Sequence, residues 1–267
     1  MIQSQNMIEV SNLTKKYEDL IAVNNVSFIV NDGEIFAFLG PNGAGKTTTV
    51  KMLTTILRPT SGSIKINGID PVEQPELARR QFGIVFQDPS VDDDLTAWEN
   101  MDLHGVLYDV PDQERKRGCE ELLKLVDLWD RKDSLVKDFS GGMKRRLEIA
   151  RGLLHEPKIL FLDEPTTGLD PQTRNLLWAR LQEVNQKKGM TVFLTTHYME
   201  EADRMAQRIA IMDEGKIIAT GTSEELKKQT GTKFLEDAFL ALTGKTIREE
   251  GGASNDRVKR MGQVFRR

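Results

Sequence analysis

Nine residues near position 40 have the types and spacing of a phosphate-binding loop. They fit the pattern G-x-x-x-x-G-K-[ST] at every fixed position. Glycines let successive backbone N–H groups approach phosphate oxygens, and a helix that begins there adds about half a positive charge. Lys46 would reach the terminal phosphates of a nucleotide, and the Thr47 hydroxyl would ligate Mg²⁺. The residues predicted to hold the nucleotide are Gly40, Pro41, Asn42, Gly43, Ala44, Gly45, Lys46, Thr47 and Thr48.

The flanks of this loop favour a nucleotide site over an ordinary glycine-rich βα turn, which is the alternative interpretation. An apolar, strand-like run covers residues 34–39. After the loop, apolar side chains recur at helical spacing through Ile56 and Leu57. A strand, a glycine-rich turn and a helix are the context that the motif requires.

Two carboxylates follow a second apolar run, at residues 158–162. In open parallel α/β sheets ligands bind at the carboxyl ends of the strands, so Asp163 and Glu164 should lie beside the loop. Asp163 would hold Mg²⁺, and Glu164 would act as general base on the attacking water. The alternative is two solvated carboxylates at a strand end, and the wholly apolar lead-in disfavours it.

Polar side chains end two further strand-like runs. His197 follows residues 190–196 and could donate a hydrogen bond to a γ-phosphate, where charge develops. Gln87 ends residues 83–87 and could contact Mg²⁺ or the attacking water. Taken alone, a strand-end histidine is usually polar surface and such a glutamine is more often a loop residue. We therefore predict Lys46, Gln87, Glu164 and His197 as catalytic, and Thr47, Gln87 and Asp163 as metal ligands.

A second anion site is predicted at Ser140, Gly141 and Gly142. Ser140 can cap a helix, and the two glycines expose backbone N–H groups at its positive end. One chain has little use for two phosphate sites unless the second serves a neighbouring molecule. Asp170 is predicted to cap another helix, with Pro171 at its first position.

Tyr17 could stack on a nucleobase from the connection at residues 14–18. The alternative, a loop aromatic that covers the sheet edge, would be favoured if this residue stood alone.

The remaining patterns predict the elements that position these residues. Residues 7–38 alternate like antiparallel strands, with a turn at Asn24 and Asn25. Helical patterning spans about residues 95–156 and opens with a capping box at Thr96, so we predict an inserted helical subdomain at about 89–157. Further strands are expected at 64–68, 208–212 and 216–220, and an amphipathic helix from Phe234 to Gly244.

Composition predicts a soluble globular protein. The chain has 267 residues, 29% of them charged, a net charge of -4 and no apolar run long enough to cross a bilayer. Residues 1–10 lack the features of a secretory signal, and the single cysteine fits a reducing compartment. The three histidines of the chain do not have the spacing of zinc ligands. No nucleic-acid partner is expected at a net charge of -4. The polar tail from Arg248 predicts disorder, or contact with an anionic membrane surface.

Taken together, these motifs resemble those of the ATP-binding-cassette (ABC) ATPases. In that family's order they are the adenine-stacking aromatic Tyr17, the Walker A loop 40–48, the Q-loop Gln87, the signature 140–142, the Walker B strand 159–164, the D-loop Asp170 and the switch histidine His197. The resemblance implies a P-loop NTPase core, a mostly parallel sheet flanked by helices, with an antiparallel β subdomain and an inserted helical subdomain. Met143 stands where the family's commonest signature has glutamine.

The resemblance also implies partners and a place in the cell. Two copies would pair head to tail around two ATP molecules, each between Walker A of one and the signature of the other. They would sit at the cytoplasmic face of the membrane and power a separate integral membrane permease. Residues 139–150 and 234–244 resemble the branch that serves daunorubicin and multidrug-resistance exporters. The ATPase domain would span 1–230, and 231–267 would form the C-terminal helix and tail.

Three alternatives stay open at the level of the sequence. A soluble cassette acting on DNA or ribosomes would keep the ATPase without a membrane partner. A regulatory subunit would bind ATP without hydrolysing it. A transporter of the same kind could carry ions or polysaccharide instead of drugs.

Overall fold

Two sheets of different kinds share an apolar core in the structure, a computed structural model that describes residues 6–244. One sheet is antiparallel, in the order β2-β1-β4. The other has the order β5-β6-β7-β3-β8-β9, parallel except for the β8–β9 pair. The strands are β1 Asn6–Tyr17, β2 Leu20–Asn31, β3 Ile35–Leu39, β4 Ser61–Ile66, β5 Phe82–Val85, β6 Ile159–Asp163, β7 Thr191–Thr196, β8 Arg208–Asp213 and β9 Lys216–Gly221.

Helices fill the connections between the strands. They are α1 Lys46–Leu53, α2 Pro75–Arg79, α3 Ala97–Leu107, α4 Asp112–Leu125, α5 Gly141–Leu153, α6 Pro171–Lys188, α7 Met199–Met205, α8 Ser223–Thr230 and α9 Leu235–Thr243. The predicted capping box at Thr96 and the predicted caps at Ser140 and Asp170 are confirmed by side-chain hydrogen bonds to first-turn N–H groups. None of the helices within residues 6–244 has the length and apolarity needed to span a membrane.

Strand β3 separates two cores. Its odd-numbered side chains, from Ile35 to Leu39, pack with the helices, and its even-numbered side chains Phe36 and Phe38 face the antiparallel sheet. Phe28 and Phe193 join those two rings, with centroids 4.9–5.9 Å apart. A parallel strand covered on both faces carries apolar residues at every position, which explains the uninterrupted apolar runs in the sequence.

The carboxyl ends of three central strands lie side by side. Leu39 of β3 pairs with Thr196 of β7, and Asp163 of β6 pairs with Thr195. The loop after β3, the two carboxylates at the end of β6 and the histidine after β7 therefore start from one edge of the sheet. The predicted α/β fold with an antiparallel sheet and a mostly parallel sheet is confirmed.

The predicted turn at Asn24 and Asn25 is wrong, because both residues lie inside β2. Leu13 pairs with Val26 and Lys15 with Val23, so the two asparagines face the single residue Thr14 across a β-bulge. The Thr14 hydroxyl accepts the Asn25 N–H at 3.1 Å, which replaces the backbone bond lost at the bulge. Polar residues thus marked an irregular strand and not a turn.

Three predicted element boundaries also differ from those in the structure. Helix α1 ends at Leu53, so Ile56 lies outside it and is 52% exposed. Strand β5 ends at Val85, because the next carbonyl, that of Phe86, accepts from the Arg145 guanidinium. Phe234 precedes the last helix and is exposed. The tail from Arg248 and residues 1–5 of the N-terminal segment lie outside the described residues.

Candidate nucleotide-binding site

Close backbone packing requires glycine at two positions of the loop 40–48. A Cβ on Gly40 would lie 2.2 Å from the Met212 carbonyl oxygen. A Cβ on Gly45 would lie 2.5 Å from the Ala22 carbonyl oxygen, and the φ of Gly45 is +105°. The loop is therefore held between the end of β8 and the β1–β2 hairpin, in a conformation that other residues would strain.

Helix α1 begins at Lys46, within this loop, and its first turn has no side-chain cap. The first intrahelical bond runs from the Thr49 N–H to the Gly45 carbonyl at 2.9 Å. No acidic side chain occupies the first turn. The backbone N–H groups there are therefore available to an anion.

Lys46 is buried beneath the loop, with 4% of its side chain exposed. Its Nζ donates to the carbonyl oxygens of Gly40 at 2.8 Å and Pro41 at 3.2 Å, and lies 3.1 Å from Glu164 Oε1. Burial lowers the pKa of this ammonium group, although the Glu164 carboxylate opposes that shift. The lysine is thus fixed at the loop by an ion pair with the carboxylate that follows β6.

Asp163 is the last residue of β6 and is 1% exposed. Its Oδ1 accepts from the Thr47 hydroxyl at 3.1 Å and from the Thr195 hydroxyl at 2.5 Å. Burial raises the pKa of this carboxyl group, and the two hydroxyls lower it. The predicted metal-ligand candidates Thr47 and Asp163 are therefore in direct contact.

Glu164 joins three groups from different parts of the chain. Its Oε1 pairs with Lys46, and its Oε2 lies 3.0 Å from His197 Nδ1 and 3.3 Å from the Thr167 hydroxyl. The pKa of Glu164 is lowered to about 2: burial opposes ionisation, but the His197 hydrogen bond and the Lys46 charge outweigh it. Its backbone has φ +48°, which is unusual for a residue with a side chain. The carboxylate is ionised and aimed at the loop.

Within residues 6–244, no hydrogen bond or ion pair joins the Gln87 side chain to this cluster. Its side chain is exposed, and its backbone carbonyl accepts from Arg145 Nη2 at 2.7 Å. The structure thus fixes the backbone at Gln87 and does not bring the side chain to Asp163 or Thr47. Its catalytic and metal-binding roles stay a prediction.

Tyr17 ends β1 and pairs with Leu20, so it lies in a strand and not in the connection that the sequence predicted. The ring is half-buried, and Lys15 Nζ lies 5.1 Å from its centroid. Ala22, a few residues along the same hairpin, approaches Gly45. This places the ring in the hairpin that borders the loop.

The signature residues lie elsewhere on the chain. Ser140 caps α5 through a bond from the Met143 N–H at 3.3 Å, and there is open space beside Gly141. Gly142 packs against Thr173, whose N–H and hydroxyl both donate to Asp170. Within residues 6–244, no hydrogen bond or ion pair joins residues 140–142 to the loop 40–48.

Sequence reasoning missed several residues that organise the site. Thr195 binds Asp163, and Thr167 binds Glu164. Arg145 and Glu148 of α5 hold the segment after β5. The sequence signal that could have identified them is a polar residue at a position where the pattern predicts an apolar one. Thr195 within the buried strand β7 is an example.

The fold and the contacts of Lys46, Thr47, Asp163 and Glu164 define a P-loop nucleotide-binding protein. A family model described as "ABC transporter" matches residues 23–167. The chain belongs to the ABC transporter family, whose ATP-binding proteins hydrolyse ATP.

Similar proteins and a similar solved structure support this assignment. The daunorubicin/doxorubicin resistance ATP-binding protein of Streptomyces peucetius is 43% identical over 233 residues, which cover 87% of this chain and 70% of that protein. The Nod factor export ATP-binding protein I of Burkholderia lata is 42% identical over 97% of this chain and 84% of its own length. A solved dimeric ATP-binding cassette, described as a post-hydrolysis state bound to ADP and Pi, superposes with TM-score 0.73 at 29% identity. That match covers 81% of this chain and 98% of the cassette.

Proposed function

We propose that this chain is the ATP-hydrolysing subunit of a transporter that exports drugs or other hydrophobic compounds through a separate membrane permease. The chain would lie at the cytoplasmic face of the membrane, bound to that permease. The similarity to a daunorubicin/doxorubicin resistance protein supports the drug-type substrate. The single observation that carries the ATPase is the contact cluster in which Glu164 meets both Lys46 and His197, beside the Thr47–Asp163 pair.

ATP binding would exchange the partner of Lys46. In the structure the lysine is paired with Glu164 at 3.1 Å. A γ-phosphate carries more negative charge than one carboxylate, so it would displace Glu164 from the ammonium group. The released carboxylate keeps its hydrogen bond with His197 and is free to accept a proton from the attacking water. Lys46 and His197 would stabilise the charge that develops on the phosphate.

The residues present fit Mg²⁺. A threonine hydroxyl and a carboxylate are the hard oxygen ligands that this ion prefers, and here they lie within 3.1 Å of each other. Thr47 and Asp163 would hold the ion, with Gln87 as the third ligand expected from the resemblance. When bound, the ion supplies neutralising charge to the β- and γ-phosphate oxygens.

Two copies would share each ATP. Ser140, Gly141 and Gly142 lie at an exposed helix N-terminus away from the loop of their own chain. They would contact the nucleotide of a second copy, as the dimeric cassette among the similar structures suggests. Hydrolysis would remove the shared phosphate contacts and let the dimer open.

Phosphate release and gel filtration test the ATPase and the dimer. We expect the wild-type chain to release phosphate from ATP, and Lys46→Ala to lose both hydrolysis and nucleotide binding. Glu164→Gln should bind ATP, hydrolyse at least about 100-fold more slowly and elute as a dimer only with ATP. Ser140→Ala should bind ATP as a monomer yet form less dimer. An inactive wild-type chain, or Glu164→Gln that stays monomeric with ATP, would contradict the scheme.

Co-purification tests the transporter role. The tagged chain is recovered from detergent-solubilised membranes of its own cells, and the proteins that accompany it are identified by mass spectrometry. We expect an integral membrane protein in stoichiometric amount, whose loss raises doxorubicin accumulation in the cells. Recovery with ribosomes or DNA, or with no membrane protein, would support a non-transport cassette instead.

A further inference from the structure

Thr195 is a polar residue in the interior of the parallel sheet. It lies on β7, is 0% exposed and pairs in register with Asp163 of the neighbouring strand. A buried hydroxyl needs hydrogen-bond partners, because its removal from water is otherwise unfavourable. Its partners here are the two residues at the reactive edge of the sheet.

The hydroxyl of Thr195 acts on both acidic residues. It donates to Asp163 Oδ1 at 2.5 Å and accepts the Glu164 backbone N–H at 3.0 Å. Hydrogen bonds to charged groups are about twice as strong as neutral ones, so the bond to Asp163 is the stronger constraint. The Glu164 N–H also reaches the Thr195 carbonyl at 3.1 Å, so this backbone contact survives without the hydroxyl.

The orientation of the Asp163 carboxylate depends on Thr195, because the other hydroxyl that donates to it, that of Thr47, is also a predicted Mg²⁺ ligand. Thr47 also donates to Asp163 Oδ1, but the proposed function assigns the Thr47 hydroxyl to Mg²⁺. Once Thr47 turns to the ion, Thr195 is the remaining side-chain donor to this carboxylate within the described residues. Both hydroxyls bind Oδ1, so Oδ2 is the oxygen left for other ligands.

We propose that Thr195 is a positioning residue, whose hydroxyl orients the Asp163 carboxylate for Mg²⁺. The proposal rests on the proposed function. Thr195 itself lies one residue before the end of β7 and is 0% exposed. Its effect is therefore on metal affinity and turnover, and not on the binding of metal-free nucleotide.

The chain offers a matched control on the same strand. Thr191 is also 0% exposed, and its hydroxyl accepts the Gly33 N–H at 2.9 Å at the opposite end of β7. Thr195→Val and Thr191→Val therefore remove the same hydroxyl from the same depth of the same strand. Only the first removes a hydroxyl that donates to the Asp163 carboxylate. Thr195→Ser restores the hydroxyl and removes only a methyl group.

The test measures ATP binding with and without Mg²⁺ by titration calorimetry on the full chain, and steady-state hydrolysis as a function of Mg²⁺ concentration. For Thr195→Val we expect unchanged affinity for ATP in EDTA, about tenfold more Mg²⁺ for half-saturation, and a kcat about tenfold lower at saturating Mg²⁺. The KM for ATP at saturating Mg²⁺ should stay within about twofold of wild type. Thr195→Ser and Thr191→Val should match wild type within about threefold.

Two results would overturn the proposal. One is wild-type Mg²⁺ dependence and kcat in Thr195→Val. The other is an equal loss in Thr195→Ser or Thr191→Val, which would show that packing and not the hydroxyl matters. If Thr195→Val does not fold, Thr195→Ala gives the same comparison with Thr191→Ala. An active wild type with an unaffected Thr195→Val refutes the positioning role and leaves the ATPase standing, whereas a wild type without Mg²⁺-dependent ATP binding refutes both.

Discussion

A buried ion pair on α5, between Arg145 and Glu148, holds the segment that contains Gln87. We expect its disruption to cause a measurable loss of stability. Arg145 and Glu148 are 6% and 0% exposed, and Arg145 Nη1 lies 3.1 Å from Glu148 Oε2. Arg145 also donates to the carbonyls of Phe86 and Gln87. Glu148 Oε1 accepts from the Ser90 N–H at 2.6 Å and hydroxyl at 3.0 Å.

Glu148→Leu is the informative perturbation. It leaves the Arg145 guanidinium buried without its counter-ion and leaves the Ser90 N–H without its acceptor. Breaking a buried ion pair by removing one partner costs about 3–5 kcal/mol. For a chain of this size each kcal/mol lowers Tm by about 2–4 °C, so we expect a drop of about 6–20 °C.

The assay is thermal unfolding followed by circular dichroism, with two controls. Glu120→Leu removes the acidic partner of Lys124 from an exposed i,i+4 pair on α4 and should change Tm little. Arg145→Met combined with Glu148→Leu removes both charges, so it should recover much of the loss. A Tm within about 3 °C of wild type for Glu148→Leu, or a double variant less stable than the single one, would refute the reasoning.

Three further predictions follow from the site and its surroundings. In Glu164→Gln, phosphate release should stay low from pH 6 to 9, because the amide cannot take the proton from water at any pH; activity returning with pH would show another base. Gly40→Ala should weaken ATP binding at least about tenfold in calorimetry, since its Cβ would collide with the Met212 carbonyl; near-normal affinity would mean that the loop can shift. Burial lowers the pKa of His104 to about 3 and of His155 to about 4. Because the unfolded chain takes up these protons first, stability should fall below pH 6.5, by about 2 kcal/mol per histidine at pH 5. Urea unfolding of His155→Phe should show a flatter dependence between pH 7 and 5, and an unchanged slope would exclude this cause.

Local sequence was sufficient for much of the fold. At both Ser140 and Asp170 the capping bond joins residues three positions apart, so the short-range pattern predicts these caps. It failed at Asn24 and Asn25, where polar residues fill a bulge, and at Phe86, whose carbonyl is taken by a distant arginine. In these cases a partner remote in sequence decides the conformation.

The sequence by itself determined the family and the identity of the phosphate-binding loop, since each depends on residue types at fixed short spacings. Only the tertiary structure decided that Lys46 is paired with Glu164, that Thr195 holds Asp163, and that the Gln87 side chain lies apart from both. The reason is physical: these contacts join separate strands and helices, and their distances depend on how the parallel sheet aligns its strand ends. The loop that contains Lys46 can be predicted from neighbouring residues. Its pairing with Glu164 depends on the arrangement of the strands in the sheet.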